Sequence, residues 1–301
     1  MTKIGFIGLG VMGTPMAAHL AAAGHEVGGY DTHADARAKL ESAGGRAATG
    51  VADAVAEADV VITMLPNHPQ VEAVVLGPGG VLESAKPGTL LADMSTIRPE
   101  TSIALAERAA AREIRVLDAP VSGGQAGAEQ AALSIMVGGE AADFAAALPV
   151  FEVVGKTIAH VGPHGAGQVV KAANQLVVGG VYGLVAEAIV LLEASGVDAA
   201  TGLDVLAGGL AGSRILDLKR KSMVARDFRP GFRIDLHHKD MGIALAAARQ
   251  ADVALPLTGL VAQLVAAGRA MGHGSLDHSA LLKVVEELSG RAAATEAEAW
   301  T

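Results

Sequence analysis

The sequence predicts an α/β fold: a doubly wound parallel β-sheet in the N-terminal part, and an all-α C-terminal domain that a long helix joins to it. Two observations predict this fold. Over roughly the first 160 residues, short apolar runs alternate with helical patterns, which is typical of a parallel sheet with crossover helices. After Gly162 the strand patterns stop and only helical patterns follow. We therefore expect domains at residues 1–162 and 163–301.

Five apolar runs in the first domain, each bounded by Pro, Gly or Asp, predict buried strands. They are residues 3–7, 26–30, 60–65, 90–94 and 116–119. Residues 133–137 and 158–160 are expected to add edge strands. Helical patterns cover residues 11–23, 52–58 and 100–112.

In the second domain, residues 166–194 have the length of one long helix, closed by Gly196. Its apolar stretch at residues 176–192 contains Glu187, and we interpret it as a buried helix rather than a membrane anchor. Asp277 is expected to cap the last helix, and the Ala/Glu-rich tail from Gly290 is expected to fray. The shorter helices are predicted at residues 198–207, 214–222, 236–249, 257–271 and 279–288.

The composition excludes several classes of function. Hydrophobic residues make up 51% of the chain and charged residues 18%, so a large core is expected, built mainly from aliphatic side chains because aromatics reach only 3%. The net charge of −9 and the lack of a Lys/Arg block argue against a nucleic-acid surface. The chain has no cysteine, which excludes disulfides and thiolate chemistry. No signal-peptide pattern follows Met1, so we expect a cytoplasmic protein with no membrane partner.

A glycine-rich turn, Gly8-Leu9-Gly10-Val11-Met12-Gly13, lies between the first predicted strand and the first predicted helix. In a Rossmann-type fold this spacing permits a tight turn, close approach of a pyrophosphate, and close packing of helix on strand. Asp31 ends the next strand, where a carboxylate binds the ribose hydroxyls of NAD and repels the 2′-phosphate of NADP. The pattern predicts NAD binding, with NADP less favoured and Arg37 the nearest cation. The alternative is a packing turn with Asp31 as a helix cap.

Other polar or glycine-rich segments follow later strands, at the edge where parallel sheets bind ligands. Met64-Leu65-Pro66 and Ser95-Thr96 are such segments, although they are equally consistent with ordinary loops. In the segment Asp118-Ala119-Pro120-Val121-Ser122-Gly123-Gly124, a hydroxyl and two unshielded glycine N–H groups suit a carboxylate. On local grounds alone, a plain β-turn is favoured there.

Two polar pairs stand out in the helical part. Lys171 and Asn174 are three residues apart on one helix face in an apolar stretch, where a lysine with a lowered pKa can donate a proton to a developing alkoxide. The alternative is a solvated surface pair. His237 and His238 are adjacent and point about 100° apart, so we expect no metal site there. Lys239 can reach a phosphate, a ribose or a carboxylate, with Asp240 orienting it or capping the helix.

Taken together, four motifs resemble the β-hydroxyacid dehydrogenase family, which includes 3-hydroxyisobutyrate dehydrogenase, over nearly the whole chain. They are residues 5–13, 118–124, 165–175 and 239–240. The resemblance implies that Lys171 is the catalytic acid/base and that Asn174 lies near the reacting oxygen. It also implies that Ser122, Gly123 and Gly124 bind the substrate carboxylate, with Lys239 beside the coenzyme and Thr96 beside the nicotinamide ribose. Residues 126–130 depart from the family pattern, which leaves the contacts of that loop open.

Within the family, residues 62–67, 208–213, 230–237 and 277–281 are most similar to 2-hydroxy-3-oxopropionate (tartronate semialdehyde) reductases. The resemblance implies NADH-dependent reduction of tartronate semialdehyde to D-glycerate, a reaction of glyoxylate metabolism. The alternatives are a dehydrogenase of 3-hydroxyisobutyrate or another short 3-hydroxy acid, an imine reductase, and a dinucleotide-binding scaffold without catalysis. The apolar helices also indicate a homo-oligomer, and the resemblance implies a homodimer or homotetramer.

Overall fold

A computed structural model describes residues 1–291 of the chain. Backbone contacts divide the chain into two compact units, Met1–Lys171 and a second unit that begins at Ala172. The division falls inside one long helix, Ala166–Ala194. The last ten residues of the predicted second domain, including most of the tail expected to fray, lie outside the described residues.

The first unit is built on one nine-stranded sheet, which confirms the predicted α/β class. The strands β1–β6 run in the order β3-β2-β1-β4-β5-β6, all parallel. The strand order therefore reverses between β1 and β4, and ligands of open parallel sheets bind at the carboxyl ends of such a pair. The strands are β1 Lys3–Ile7, β2 Glu26–Tyr30, β3 Arg46–Ala47, β4 Val60–Thr63, β5 Leu90–Asp93, β6 Arg115–Asp118, β7 Val121–Ser122, β8 Leu133–Gly139 and β9 Gly155–Gly162.

Successive residues of the central strands enter two different hydrophobic clusters, one on each face of the sheet. In β4, Ile62 belongs to one cluster and Val61 to the other, and in β5 Ala92 and Leu91 divide in the same way. Strands buried on both faces need apolar residues at every position, which is why they appear in the sequence as unbroken apolar runs.

The far edge of the sheet differs from the sequence prediction. The strand β8 pairs with β6 and β7 on one side and with β9 on the other, so it lies inside the sheet. Of the two strands predicted to be edge strands, only β9 lies at an edge. The strand β8 also runs antiparallel to β6 and β7. The connection from β7 to β8 contains only a short helix, whereas a parallel crossover needs a dozen residues or more.

Helices flank this sheet, and five of them have no counterpart in the sequence prediction. Only Leu40 is buried in the second helix, so its apolar stripe is weak. The eighth contains Pro149, a residue that argues against a helix interior, although its buried residues follow a helical period. The helices are α1 Gly13–Ala22, α2 Ala34–Ser42, α3 Val51–Val55, α4 His68–Leu76, α5 Val81–Ser84, α6 Pro99–Ala110, α7 Gly124–Glu129 and α8 Ala141–Val154. Those without a predicted counterpart include α2, α4 and α8.

The second unit is helical throughout its described part, apart from an isolated bridge between Arg233 and Asp277. The long helix α9 has the predicted bounds. Asp277 caps a 3₁₀ turn at residues 278–280, accepting a hydrogen bond from Ser279 N, rather than the last helix itself, which begins three residues later than this turn. A turn at Arg269–His273 continues the chain beyond α13, with Gly272 at φ 86°. The helices are α9 Ala166–Ala194, α10 Ala199–Gly208, α11 Arg214–Val224, α12 Ile234–Gln250, α13 Pro256–Gly268 and α14 Leu281–Leu288.

One hydrophobic cluster fills the second unit, with members from α9, α10, α11, α12, α13 and α14. A Cβ on Gly183 of α9 would lie 3.3 Å from Leu264 of α13, so these two helices pack closely. Within the described residues, α9 is the one helix long and apolar enough to cross a membrane by length and composition, a test that the core helix of a soluble protein also passes.

Candidate active site

The glycine turn lies at the carboxyl end of β1, next to the end of β4. Gly8 has φ 98°, and a Cβ there would collide with the carbonyl oxygen of Met64. A Cβ on Gly13 would collide with the carbonyl oxygen of Gly8. At Gly10, by contrast, a Cβ would meet no heavy atom within 4 Å. The first and third glycines are therefore required by the protein's own packing, and the second is not.

The helix α1 begins beside this turn at Gly13, two residues later than predicted, although Met12 before it already has helical dihedral angles. No side chain caps it, so its first N–H groups lack a side-chain acceptor. The Thr14 hydroxyl donates a hydrogen bond of 2.5 Å to the carbonyl oxygen of Leu9, which holds the turn against the helix. The turn, including Leu9, Val11 and Met12, can accept an anion at a helix N-terminus.

Asp31, directly after β2, is bound to the same turn. Its carboxylate accepts hydrogen bonds from Leu9 N at 2.8 Å and from His33 N at 2.9 Å. Partial burial acts to raise the pKa of Asp31, but the hydrogen bonds from His33 and Leu9 outweigh it and hold that pKa below its usual value. Arg37 donates to the carbonyl oxygen of Asp31 and lies over the Tyr30 ring. Asp31 thus carries a negative charge beside the glycine turn.

The segments after β4 and β5 are joined by a buried carboxylate that the sequence analysis missed. Asp93, the last residue of β5, accepts the Thr63 hydroxyl at 2.7 Å and Ser95 N at 3.1 Å, and Ser95 in turn accepts Leu65 N at 2.9 Å. Burial raises the pKa of Asp93 to about 6. The predicted site residues Met64, Leu65 and Pro66 therefore adjoin the segment that carries Thr96. Asp93 lies at the end of a predicted strand, as Asp118 does in the neighbouring strand, and this position is the signal by which the sequence could have shown it.

Gln168 was also missed in the sequence, and its side chain hydrogen-bonds to the backbone on both sides of Thr96. Its side-chain amide donates to the carbonyl oxygen of Ser95 at 2.9 Å and accepts from Ile97 N at 3.1 Å. Gln168 is buried and lies three residues before Lys171 on α9. One amide thus joins the Thr96 turn to the part of the helix that carries Lys171.

The start of α9 is fixed to the sheet by Asp118, the last residue of β6. The buried Asp118 carboxylate accepts Gly165 N at 2.7 Å and Gln168 N at 3.0 Å. Burial raises the pKa of Asp118, and these backbone hydrogen bonds act against that rise. A Cβ on Gly167 would collide with the carbonyl oxygen of Met136, so the helix lies directly against β8. A strand-end carboxylate therefore caps this helix.

Lys171 itself is 5% exposed, although lysine is seldom buried. It lies in the first unit, as do the Ser122 turn and the glycine turn. Ser122 ends β7 and is partly exposed, and Gly123 and Gly124 follow with φ 134° and 60°. Both glycines are in the left-handed region, which a side chain disfavours.

The two remaining predicted site residues, Asn174 and Lys239, belong to the second unit and are linked there through side chains. Asn174 Nδ2 donates to Gln175 Oε1 at 2.8 Å, and Gln175 Nε2 donates to Asp240 Oδ2 at 2.5 Å. Asp240 Oδ1 lies 2.9 Å from Lys239 Nζ. Asp240 therefore lies close enough to Lys239 to orient it. Gln175 was missed in the sequence, where its place directly after Asn174 was the available signal.

In the described part of the chain, His237 is not part of a group of side chains that could bind a metal ion. Its Nε2 donates to the carbonyl oxygen of Gln175 at 3.2 Å, and its Nδ1 is 3.1 Å from Nδ1 of His278. Over residues 1–291, no group of three or more His, Cys, Asp or Glu side chains is arranged to hold a metal ion.

Known proteins match this chain along almost its entire length. Residues 3–162 match a family model described as the NAD binding domain of 6-phosphogluconate dehydrogenase. Residues 165–285 match one described as the NAD-binding domain of NADP-dependent 3-hydroxyisobutyrate dehydrogenase.

Two relatives and one solved structure are also similar to this chain over nearly its full length. A 2-(hydroxymethyl)glutarate dehydrogenase of Eubacterium barkeri is 42% identical over 289 residues, covering 96% of each chain. A 2-hydroxy-3-oxopropionate reductase of Escherichia coli K12 is 40% identical over 284 residues, covering 94% of this chain and 97% of the relative. The solved structure of Mycobacterium tuberculosis 3-hydroxyisobutyrate dehydrogenase with L-serine is 38% identical, with a TM-score of 0.86, and the match covers 95% of this chain and 99% of that one.

These matches agree with the parallel sheet of the first unit and the helical second unit described above. The chain belongs to the β-hydroxyacid dehydrogenase family and is an NAD(P)-dependent oxidoreductase of hydroxy acids.

Proposed function

We propose that the protein reduces 2-hydroxy-3-oxopropionate (tartronate semialdehyde) to D-glycerate with NADH. The observation that carries the proposal is the buried Lys171, on a helix whose start is bound by Asp118, in the unit that also contains the glycine turn and the Ser122 turn. A buried lysine on an anchored helix is a suitable proton donor for a reacting oxygen.

The residues of the first unit fit the coenzyme. The open space at Gly10 and the uncapped start of α1 suit a pyrophosphate, and the ionised Asp31 suits the ribose hydroxyls of NAD. We assign the segment Met64-Leu65-Pro66, Thr96 and Lys239 to coenzyme contacts as well. When bound, NADH supplies the hydride that reduces the carbonyl carbon.

The protein's own groups act on the substrate. Ser122 and the N–H groups of Gly123 and Gly124 bind the carboxylate, which fixes the direction of the substrate. Lys171 Nζ gives a proton to the carbonyl oxygen as that oxygen gains charge, and the hydroxy acid results. Asn174 holds the same oxygen. In the reverse direction Lys171 takes the hydroxyl proton.

The compounds named for the three similar proteins share one chemical core. Glycerate (the reduced form of 2-hydroxy-3-oxopropionate), 3-hydroxyisobutyrate, the L-serine of the solved structure and 2-(hydroxymethyl)glutarate are all 3-hydroxypropionates that differ only in the group on carbon 2. That group is a hydroxyl, a methyl, an ammonium or a carboxyethyl chain. Recognition of the carboxylate and the reacting oxygen is therefore common to all four, and the pocket for the group on carbon 2 determines the preferred substrate.

A substrate panel with NAD and with NADP tests the proposal. We expect the highest kcat/KM for D-glycerate, or for tartronate semialdehyde in the reductive direction, and lower values for the other three acids and for unsubstituted 3-hydroxypropionate. A preference for 3-hydroxyisobutyrate would instead support the second candidate, a 3-hydroxyisobutyrate dehydrogenase. Binding of NADH without turnover of any of these compounds would indicate a scaffold.

We also propose that the chain assembles as a homodimer or homotetramer through its second unit. On α9, Val177, Leu184 and Leu191 recur every seven residues and are more than half exposed. Leu257 and Leu260 of the adjoining α13, a helix without a charged residue, are at least 70% exposed. This largely apolar face, which carries one exposed carboxylate at Glu187, suits a second copy of a chain whose net charge is −9. Light scattering that gives only the 30.2 kDa monomer would contradict this.

A further inference from the structure

We propose that Gln175 and Asp240 are positioning residues that hold the side-chain amide of Asn174 in a single orientation. The inference rests on the proposed function, in which Asn174 holds the reacting oxygen. It concerns how that amide is presented, and it assigns a task to two buried polar residues that the mechanism itself does not use.

The three side chains form a continuous hydrogen-bonded series inside the second unit. Gln175 is 4% exposed and Asp240 is 2% exposed, whereas Asn174 is partly exposed. The hydrogen bonds are 2.5 Å from Gln175 Nε2 to Asp240 Oδ2 and 2.8 Å from Asn174 Nδ2 to Gln175 Oε1. The series begins at a buried charge and ends at a side chain that reaches the surface of the unit.

The series has a direction because its first member can only accept. A primary amide has nearly the same shape when its oxygen and nitrogen are exchanged, so shape alone does not select an orientation. Asp240, in an ion pair with Lys239, offers only acceptor oxygens, so Gln175 must turn its nitrogen toward it. The Gln175 oxygen then faces Asn174 and selects the nitrogen of that amide.

Asn174 is therefore left with its oxygen and one N–H for a ligand, in a fixed arrangement. If the amide turned over, donor and acceptor would exchange places beside the reacting oxygen. Misplacement of such a contact by about 1 Å can reduce a rate about 100-fold. The same carboxylate also lies 2.9 Å from Lys239 Nζ, so one buried charge faces Lys239 directly and Asn174 through Gln175.

Two substitutions of Gln175 test the direction of the series. Gln175→Leu removes both hydrogen bonds, and we expect kcat to fall about 10- to 100-fold while the Kd of NADH stays unchanged. Gln175→Glu places a second carboxylate against Asp240, and two such groups at this distance share one proton. Protonation restores a donor toward Asp240, so the kcat of this variant, as a fraction of wild type, should rise as the pH falls. The same fraction for Gln175→Leu should not change with pH.

A matched pair of charge removals separates positioning from stability. Asp240→Asn removes a buried carboxylate paired with Lys239, and we expect lower kcat and weaker NADH binding. Glu286→Gln removes a buried carboxylate that pairs with Arg226 at 2.6 Å in the same unit, and we expect lower stability with unchanged kcat per folded enzyme. Thermal unfolding of every variant gives the folded fraction. A kcat of Gln175→Leu or Asp240→Asn within twofold of wild type, or parallel pH profiles of the two Gln175 variants, would overturn the proposal.

Failure of the proposed function gives a different result. In that case the wild type turns over none of the acids of the panel, and the amide is observed directly by NMR of protein labelled with ¹⁵N-asparagine. The Asn174 side-chain signals, assigned by their loss in Asn174→Ala, should be single in the wild type and doubled or broadened in Gln175→Leu. Identical signals in both proteins would overturn the positioning role independently of catalysis.

Discussion

The two units of the molecule hold their predicted site residues in different ways. In the first unit, buried carboxylates at strand ends bind backbone N–H groups, as Asp118 does at the start of α9 and Asp93 does at Ser95. In the second unit, helices present the site residues, and a series of side chains links Asn174 to Lys239. The first arrangement shapes the backbone, and the second orients side chains on a backbone that is already regular.

This difference follows from the local structure. A strand end opens into a loop whose N–H groups need acceptors, and here a carboxylate at a strand end supplies them, as Asp93 does for Ser95 N. A helix satisfies its own backbone groups, so only its side chains remain to be oriented. Loss of an anchor should therefore affect folding more strongly in the first unit and catalysis more strongly in the second.

The largest effect is expected from the residue that the first unit fixes for chemistry. Lys171→Ala should lower kcat about 10²- to 10⁴-fold, because a positioned proton donor contributes that much to such a reaction. The Kd of NADH, measured by fluorescence, should stay near the wild-type value. Lys156→Ala, at an exposed lysine of β9, is the control. Turnover of Lys171→Ala within tenfold of wild type would refute the assignment of Lys171.

The next effect concerns stability, through Asp93. Its folded pKa of about 6 lies above the ordinary value of 3.8, so the folded state binds the proton more tightly than the unfolded state. This group therefore lowers stability as the pH rises from about 4 to 6, by about 3 kcal/mol in all. Asp93→Asn does not titrate, so its free energy of unfolding relative to wild type should increase by about that amount between pH 4 and pH 8. Urea unfolding at both pH values measures this, and a constant difference would contradict it.

The smallest effect is expected at Asp31, where only a charge changes. Asp31→Asn keeps an acceptor for Leu9 N and removes the repulsion of a 2′-phosphate. The ratio of kcat/KM with NADH to that with NADPH should fall by roughly tenfold, or about 1.4 kcal/mol. The control is Asp53→Asn, which removes a carboxylate of α3 that pairs with Arg46, and it should leave the ratio unchanged. A wild type that already prefers NADPH would show that the interpretation of Asp31 is wrong.

Much of the fold was predictable because its signals are local. Buried parallel strands need unbroken apolar runs, and β1, β2 and α9 have their predicted bounds. The helices α2 and α8 were missed because one buries a single residue and the other contains a proline. The interior position of β8 was also missed, because strand neighbours depend on pairing between distant segments.

By itself, the sequence determined the glycine turn, the acidic residue after β2 and the lysine and asparagine on the long helix, because residue type and spacing within one turn or helix carry those signals. Only the tertiary structure decided that Asp118 caps α9, that Gln168 brackets Thr96, and that Asp240 reaches Asn174 through Gln175. Each of these hydrogen bonds joins residues far apart in the chain. A polar side chain in an apolar segment shows that it needs a partner, but only the folded chain brings that partner within hydrogen-bonding distance.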